Sequence, residues 1–295
     1  MSYCLIFKII HIFAKSLINS ALLGHFAWLS LNSSKQIIKE NLKKSIRNFF
    51  KGKKIENYQV LDDVFPKERR IRSLIGGLET SLGTTCWEPI AKTLAELNGF
   101  EIVTEKILRP QPFPKELDIE LNNLISEREN KYNGNIVDTQ ECIQRLKQAA
   151  LKINPKEIIK YTSPPSGTGA DIHFYKNCIE YVFDLKTTQP NQSGFKGFNK
   201  QILEWYAYRF AKNPDAKLEA RIAIPFNPFK KSWYEKQKSM LSSSPLDITQ
   251  DIWVENEFWD FCSGKENTFE ELQSLFIQLG QENFAKEFHD IFYPN

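Results

Sequence analysis

Residues 169–188 read GADIHFYKNCIEYVFDLKTT, and this stretch is typical of a β-hairpin. The loop before it is rich in Pro, Ser and Gly, and its two runs of β-forming residues are separated by a short turn at Lys176-Asn177. Such a turn brings Asp171, at the start of the first strand, roughly opposite Asp184 or a near neighbour on the second. The sequence therefore predicts a hairpin that carries two facing carboxylates.

Helical periodicity accounts for most of the chain on either side of the hairpin. Apolar residues recur at helical spacing in segments at about 33–50, 67–81, 89–97, 117–129, 138–152 and 198–211. Residues 100–107 and 218–226 have the composition of strands, and residues 190–197 are predicted to form a loop. The tail from Phe258 onward is predicted to be helical and acidic. This order implies an α/β fold with a central mixed β-sheet flanked by helices.

The chain has 295 residues, of which 41% are hydrophobic, and is long enough for one large domain. We predict a single domain over residues 33–295, with a core at about 61–226 and an acidic, helical C-terminal part. Residues 1–32 are much more apolar, but charged and polar side chains interrupt them, so they contain no run of about 20 apolar residues. A signal peptide and translated upstream sequence remain alternatives. The interpretation that we favour is a dispensable extension.

The patterns of cysteine and charge exclude some classes of protein. Five cysteines are scattered without CxxC spacing, so neither a disulfide framework nor a zinc site is predicted, and a cytoplasmic location fits. The net charge of +3 conceals two charge runs. Eight basic residues stand against Glu40 in residues 35–54, and eleven acidic residues stand against Lys265 and Lys286 in residues 247–290. Each run is typical of a solvated helix face, and the basic run can alternatively contact DNA phosphates.

The hairpin residues that can carry chemistry are Asp171, Asp184 and Lys186. Asp184 and Lys186 are two positions apart on one strand, so they project from the same face of the sheet. Two carboxylates offer hard oxygen ligands to Mg²⁺, which can polarise a phosphoryl oxygen and acidify an attacking water. The ammonium of Lys186 can orient that water and offset charge that develops on the phosphate. The pattern therefore predicts phosphodiester hydrolysis, with Asp171 and Asp184 as metal ligands.

The structural alternative is an ion pair at a sheet edge, because a D…DxK pattern is short enough to arise by chance. Three features favour the catalytic interpretation: the Gly-rich loop before Asp171, the helix that follows, and the apolar strand 181–186 in which the charges are embedded. Charged side chains in such a strand are costly unless they are paired or bound to a metal.

The segments GADIHF and CIEYVFDLKTT resemble the catalytic core of the PD-(D/E)xK nuclease superfamily in its DxK form, with Ala170 where a proline often stands. RSLIGGLETSLGTTCWE, residues 72–88, and FDLKTTQPNQSGFKGFNKQ, residues 183–201, are similar more specifically to the TdeIII/MjaII group of type II restriction enzymes. The resemblance runs from about Leu61 to beyond Phe226.

This resemblance implies a restriction-endonuclease-like fold and the activity of a type II site-specific deoxyribonuclease. The implied cofactor is Mg²⁺, with Mn²⁺ as a substitute, and the implied target is double-stranded DNA at a short palindrome, GGNCC in that group. Because one active site cuts one strand of a palindrome, the expected working unit is a homodimer with twofold symmetry. A cognate DNA methyltransferase encoded nearby is also implied, and no membrane association is expected.

The resemblance also adds a third carboxylate and a supporting residue. In the superfamily a glutamate on an early helix often joins the metal site, and Glu88 matches it. Residues before proline avoid the α region, so Glu88 is expected at the mouth or a kink of the helix that Pro89 starts. A surface glutamate that complements the helix N-terminus is the alternative, and Glu79 is the second candidate for the metal site. Gln201 matches a polar residue that supports the site in related nucleases, although a solvent-facing glutamine is an alternative.

Basic residues around the predicted core are candidates for DNA contacts, with ordinary surface charge as the alternative: Lys196, Lys200, Arg209 and Arg221. Arg221 and the Lys230-Lys231 pair are also candidates for reading guanine in the major groove. The aromatic residues at positions 205, 206, 208 and 210 are expected to pack in the core rather than to stack on bases.

Three other functions remain as alternatives. A nuclease of the same superfamily that serves DNA repair or mobile elements has the same fold and site. A DNA-binding protein without catalysis can use the basic run, but the intact set of Asp171, Asp184 and Lys186 argues against it. A small-molecule enzyme has no support, because the sequence contains no P-loop, Rossmann fingerprint or nucleophile elbow.

Overall fold

The computed structural model describes residues 35–53, 58–131 and 136–294. Its helices are residues 35–50 (α1), Pro66–Leu82 (α2), Glu88–Leu97 (α3), Lys115–Asn130 (α4), Thr139–Ala150 (α5), Gln192–Lys212 (α6), Trp233–Ser242 (α7), Asn256–Ser263 (α8), Thr268–Gln281 (α9) and His289–Phe292 (α10). Its strands are Glu101–Ile102 (β1), Arg109–Gln111 (β2), Lys160–Thr162 (β3), Ile172–Lys176 (β4), Ile179–Leu185 (β5), Leu218–Ile224 (β6) and Ile252–Val254 (β7).

A five-stranded mixed sheet is the centre of the fold, with strand order β1-β4-β5-β6-β7. The strands β1, β4 and β5 pair antiparallel, whereas β6 and β7 add to β5 in parallel. Each parallel step needs a crossover, and the helices α6 and α7 lie in these connections. The predicted α/β fold with a mixed central sheet is confirmed. The strands β2 and β3 form a separate antiparallel pair.

The predicted hairpin is formed by β4 and β5. Its turn lies at Asn177-Cys178, one residue later than predicted, and both turn residues have positive φ, as a tight two-residue hairpin turn requires. Ile172 pairs with Phe183, and the amide of Asp171 donates to the carbonyl of Phe183 at 2.9 Å. This register places Asp171 at the level of Asp184, as expected.

Successive side chains of β5 face opposite sides of the sheet, and from Val182 to Leu185 the side chains on both faces are buried. Val182 packs into a cluster that α4, α5, α6 and α7 form on one face. Phe183 and Leu185 pack into a second cluster, which α3, α8 and α9 form on the other face. Asp184 follows Val182 by two positions and therefore faces α6, where it is buried.

Several predicted boundaries are wrong, for physical reasons that can be identified. The helix α6 begins at Gln192 rather than near residue 198, because the side chain of Asn191 caps it by accepting from the amide of Gly194. The strand predicted at 100–107 is reduced to Glu101–Ile102, since only this part pairs with β4. The elements α7 and β7 were not predicted, and β7 extends the sheet beyond the expected core.

Part of the basic run pairs with the acidic C-terminal part. In α1, Lys39 and Lys43 both pair with Glu282, the latter at 3.1 Å, and Arg47 forms a two-pronged contact with Glu287 at 2.7 and 2.8 Å. These residues of the basic run are therefore ion-paired with the acidic C-terminal part instead of forming a free patch for DNA phosphates. The predictions for residues 1–32 lie outside the described residues. Among the helices that the structure describes, each is too short or too polar to cross a bilayer.

Candidate active site

Asp171, Asp184 and Lys186 come together where β5 ends. The Oδ2 atom of Asp171 accepts a hydrogen bond from the amide of Leu185 at 2.8 Å, which fixes this carboxylate against the second strand of the hairpin. The Nζ atom of Lys186 lies 2.6 Å from Oδ2 of Asp184. The amide of Lys186 donates to the carbonyl of Ala223, so the parallel strand β6 also holds the site. The structure thus brings these three predicted residues together.

The electrostatics of the pair of aspartates are unfavourable for two negative charges. The side chain of Asp184 is only 5% exposed, and the carboxyl group of Asp171 lies within hydrogen-bonding reach of it. Burial, together with this neighbouring carboxyl, raises the pKa of Asp184 to about 7, although Lys186 acts in the opposite direction. Such a pair is stabilised by a proton or by a bound cation.

Glu88 is the first residue of α3 and lies near Asp171. It follows a π-helical turn at Gly83–Trp87 that joins α2 to α3. Burial raises the pKa of Glu88, and the charge of Asp171 adds to this effect, whereas Lys92 opposes it from 3.1 Å. The expectation that the residue before Pro89 avoids the α region is wrong, since its φ of −59° and ψ of −49° are helical. Because Trp87 before it is also helical, Glu88 does not lie at the mouth of a separate helix but directly after the π-helical turn, in backbone continuous with α2.

Glu79, Glu88 and Gln201 differ in burial and in their distance from the site. Glu79 is exposed on α2, whereas Glu88 is half-buried and within reach of the charge of Asp171, so Glu88 is the better placed of the two candidates. Gln201 is buried on α6, and its Nε2 atom donates to Oδ2 of Asp184 at 2.8 Å. The glutamine therefore faces the candidate site and not the solvent.

The donor set of the site fits a hard divalent cation. Within residues 35–53, 58–131 and 136–294, no cluster of three or more His, Cys, Asp or Glu side chains is arranged to hold a metal. Mg²⁺, however, commonly takes one or two protein carboxylates and completes its shell with water and substrate phosphate. Two adjacent carboxyls, one of them with a raised pKa, provide that minimum, and Glu88 stands beside them.

The four basic candidates for DNA contacts divide into two groups. Lys196 and Lys200 are more than half exposed on α6, the helix that covers the site, and each forms one surface ion pair, with Glu129 at 3.4 Å and with Glu204 at 3.9 Å, which solvent weakens. Arg209 is bound to both carboxylate oxygens of Glu180, near the opposite end of β5 from Asp184. Arg221 is buried, with its guanidinium 4.0 Å from the ring centre of Trp253, on the other face of the sheet.

Arg209 and Arg221 are therefore poorly placed for DNA contacts, because each is largely buried in contacts within the chain. Lys230 and Lys231 are both exposed. The aromatic residues of α6 are buried in the core, as expected: Trp205, Tyr206, Tyr208 and Phe210.

Two residues at the site were missed by the sequence analysis. Lys92 follows Glu88 by four positions, and this spacing on a helix is itself a signal for an ion pair. Trp205 follows Gln201 by four positions on the same helix face, but it was considered only as part of the aromatic run. Its Nε1 atom donates to the carbonyl of Thr168 at 2.8 Å, in the loop that leads to Asp171.

A hairpin with an Asp/Asp/Lys site on a mixed sheet fits a nuclease, and comparison with known proteins agrees. The family model described as "Type II restriction endonuclease, HinfI" matches residues 31–280, and the chain belongs to this family. The chain is 23% identical over 219 residues to the type II restriction enzyme MjaII of Methanocaldococcus jannaschii. This match covers 72% of the chain and 55% of MjaII, so the chain spans about half the length of that curated relative. No solved structure is detectably similar to the chain.

Proposed function

We propose that the protein hydrolyses phosphodiester bonds in double-stranded DNA as a metal-dependent type II restriction endonuclease. The observation that carries this proposal is the convergence of Asp171, Asp184 and Lys186 at the end of β5, with Gln201 bound to Asp184 and Glu88 close enough for the charge of Asp171 to raise its pKa. The family match supports the same reaction class.

Each side chain of the site has a role that follows from its position. Asp171 and Asp184 would hold the cation, with Glu88 as a third ligand once it leaves Lys92. The bound Mg²⁺ supplies Lewis acidity towards the phosphate and the attacking water. Lys186 has a side chain 28% exposed, so its ammonium can reach solvent and donate to water or to a phosphate oxygen. Gln201 holds the Asp184 carboxylate in place by its hydrogen bond.

The proposed cofactor is Mg²⁺, and Mn²⁺ is expected to replace it, because both accept carboxylate and water oxygens in octahedral geometry. The support is the chemistry of the donor set, which has no sulfur and no histidine among the site residues. His173 lies further along β4, where Nε2 contacts Glu180 at 3.1 Å.

The proposed target is a short palindrome, GGNCC, on the basis of the resemblance to the TdeIII/MjaII group. Incubation of the purified protein with a sequenced plasmid and Mg²⁺ tests both activity and target. Discrete fragments whose ends map to GGNCC support the proposal, and discrete fragments that map elsewhere refute the sequence but not the activity. A smear indicates a non-specific nuclease, and uncut plasmid refutes catalysis. A partner methyltransferase would protect the same sites.

The proposed working unit is a homodimer, because two equivalent half-sites on opposite strands need two active sites. A segment before α2 exposes five apolar side chains, each more than half exposed: Tyr58, Val60, Leu61, Val64 and Phe65. Together they present apolar area on the order of 500 Å², near the upper limit for a patch on a monomer. A standard interface buries about 800 Å² on each partner, so this segment can form most of a contact with a second copy.

Sedimentation of the double variant Val60→Asp/Val64→Asp tests this contact. The variant is expected to be monomeric and folded, and to nick plasmid DNA rather than to cut both strands. The matched control is Ile159→Asp, since Ile159 is 83% exposed next to β3, outside the apolar segment, and its replacement should leave the dimer intact. A wild-type protein that is monomeric on its DNA refutes the dimer, and a dimeric double variant places the contact elsewhere.

A further inference from the structure

The loop that leads into Asp171 is attached to α6 at two points. Trp205 donates from Nε1 to the carbonyl of Thr168 at 2.8 Å, and Gln201 donates from Nε2 to the carbonyl of Gly169 at 3.4 Å. These two side chains lie four residues apart and therefore share one face of the helix. The same amide of Gln201 also donates to Asp184, so one helix face contacts both the loop and the catalytic strand.

The loop forms a hydrogen-bonded turn, so that one contact from Trp205 can fix the position of several loop residues. The amide and the hydroxyl of Thr168 both donate to the carbonyl of Pro165, at 3.1 and 2.8 Å, and Gly167 has a φ of +81°. A turn of this kind has few conformations available. A hydrogen bond to its last carbonyl therefore fixes the whole turn relative to α6, three residues before Asp171.

The surroundings of Trp205 show that this hydrogen bond is not easily exchanged. Its side chain is fully buried, so its N–H has no water to bond in place of the Thr168 carbonyl. On its other side, Asp171 is fixed to β5 through Phe183 and Leu185. The backbone that carries the Asp171 carboxylate is thus held between β5 and α6.

We propose that Trp205 is a positioning residue: its indole N–H, through the Thr168 carbonyl, sets the place of the Asp171 carboxylate relative to Asp184 for metal binding. Metal ligands have to be held within a fraction of an ångström, and removal of an outer partner of a ligand lowers metal affinity by about 10- to 100-fold. This inference rests on the proposed function for the identity of the ligand, Mg²⁺ or Mn²⁺.

The test compares the binding of Mn²⁺ alone, by titration calorimetry, to full-length wild type and to the variant Trp205→Phe. Phenylalanine keeps an aromatic ring in the core but has no N–H. We expect the Mn²⁺ dissociation constant of the variant to rise by at least about tenfold. In cleavage assays kcat should fall at matched metal concentration while the KM for DNA stays constant, since the DNA contacts are retained.

The matched control is Tyr206→Phe, the next residue of the same helix. Tyr206 is equally buried, and its hydroxyl accepts from the amide of Ala220 at 3.0 Å, so this variant also loses a buried hydrogen bond of α6 but none to the loop. It is expected to lower the melting temperature and to leave Mn²⁺ affinity unchanged. Equal Mn²⁺ affinities of the Trp205 variant and wild type, with only a lower melting temperature, overturn the positioning role.

The failure of this inference can be distinguished from the failure of the proposed function. A wild type that binds Mn²⁺ without cutting DNA overturns the proposed function, while the comparison of Mn²⁺ affinities still decides the role of Trp205. A wild type that binds no Mn²⁺ overturns both.

Discussion

Replacement of Asp184 by Asn should make the metal-free protein more stable while it destroys the active site. The buried carboxyl of Asp184 has its pKa raised from 3.8 to about 7 by burial and by the neighbouring Asp171, so its ionised form is less stable in the fold than in the unfolded chain. Asn has nearly the same shape and carries no charge. It can still accept the hydrogen bond from Gln201.

The magnitude follows from the shift in pKa. Because the folded pKa lies above the unfolded one, the unfolding free energy is highest below pH 3.8 and falls as the pH rises towards 7. At about 1.4 kcal/mol for each pH unit, this shift costs about 4 kcal/mol at pH 8, where Asp184 is ionised in the fold, and about 2 kcal/mol at pH 5.5, where Asp184 takes up a proton on folding. Asp184→Asn removes this cost, but relaxation around the site in wild type and loss of the pairing with Lys186 in the variant reduce the benefit. We therefore expect the unfolding free energy of the variant to exceed that of wild type by about 2 kcal/mol at pH 8 and by half of that at pH 5.5.

Thermal unfolding in excess chelator measures this difference. For a chain of this size a gain of about 2 kcal/mol corresponds to a melting temperature roughly 3–4 °C higher for Asp184→Asn than for wild type at pH 8, and a smaller difference at pH 5.5. Saturating Mg²⁺ should reverse the order, because only the wild-type site gains binding free energy. Asp290→Asn is the control, since the side chain of Asp290 is fully exposed. A variant that is no more stable than wild type at pH 8 would refute the reasoning.

The remaining predictions concern the reaction, the metal and the N-terminal segment. Asp171→Ala, Asp184→Ala and Lys186→Ala should each abolish cleavage, because the three side chains act as one assembly, while DNA binding measured by gel shift survives; near-normal cutting by any of them removes that residue from the site. Ca²⁺ should support DNA binding without turnover, and excess chelator should stop cleavage, so activity that persists in chelator excludes a metal mechanism. Deletion of residues 1–32 should leave a folded, active enzyme in plasmid digestion, and loss of folding would show that this segment belongs to the core.

The sequence by itself determined the parts of this protein that depend on local pattern. Alternation and turn residues predicted the β4-β5 hairpin, and the two-residue spacing placed Asp184 and Lys186 on one face. Facing strands then put Asp171 at the level of Asp184. These results need only the period of a strand and the geometry of a hairpin.

Sequence pattern was less informative where the ends of elements depend on neighbours. The strand β1 is short because only two of its residues meet β4, and β7 is a strand because Ile252 meets Ile222 at the sheet edge. The helix α6 starts at its cap, Asn191, within a segment whose two glycines indicated a loop. In each case a partner distant in sequence, or one capping side chain, outweighed local propensity.

Only the tertiary structure decided which polar residues serve the site. Arg209 and Arg221 have the same chemistry as a DNA contact, but Glu180 and Trp253 hold them within the chain. The two opposite charge runs, more than 200 residues apart, meet as α1 against the C-terminal part. Trp205, by composition a core residue, holds the loop before the catalytic aspartate. The physical reason is that a charge or an N–H group has a role only through its partner, and these partners are brought together by the packing of helices on the sheet.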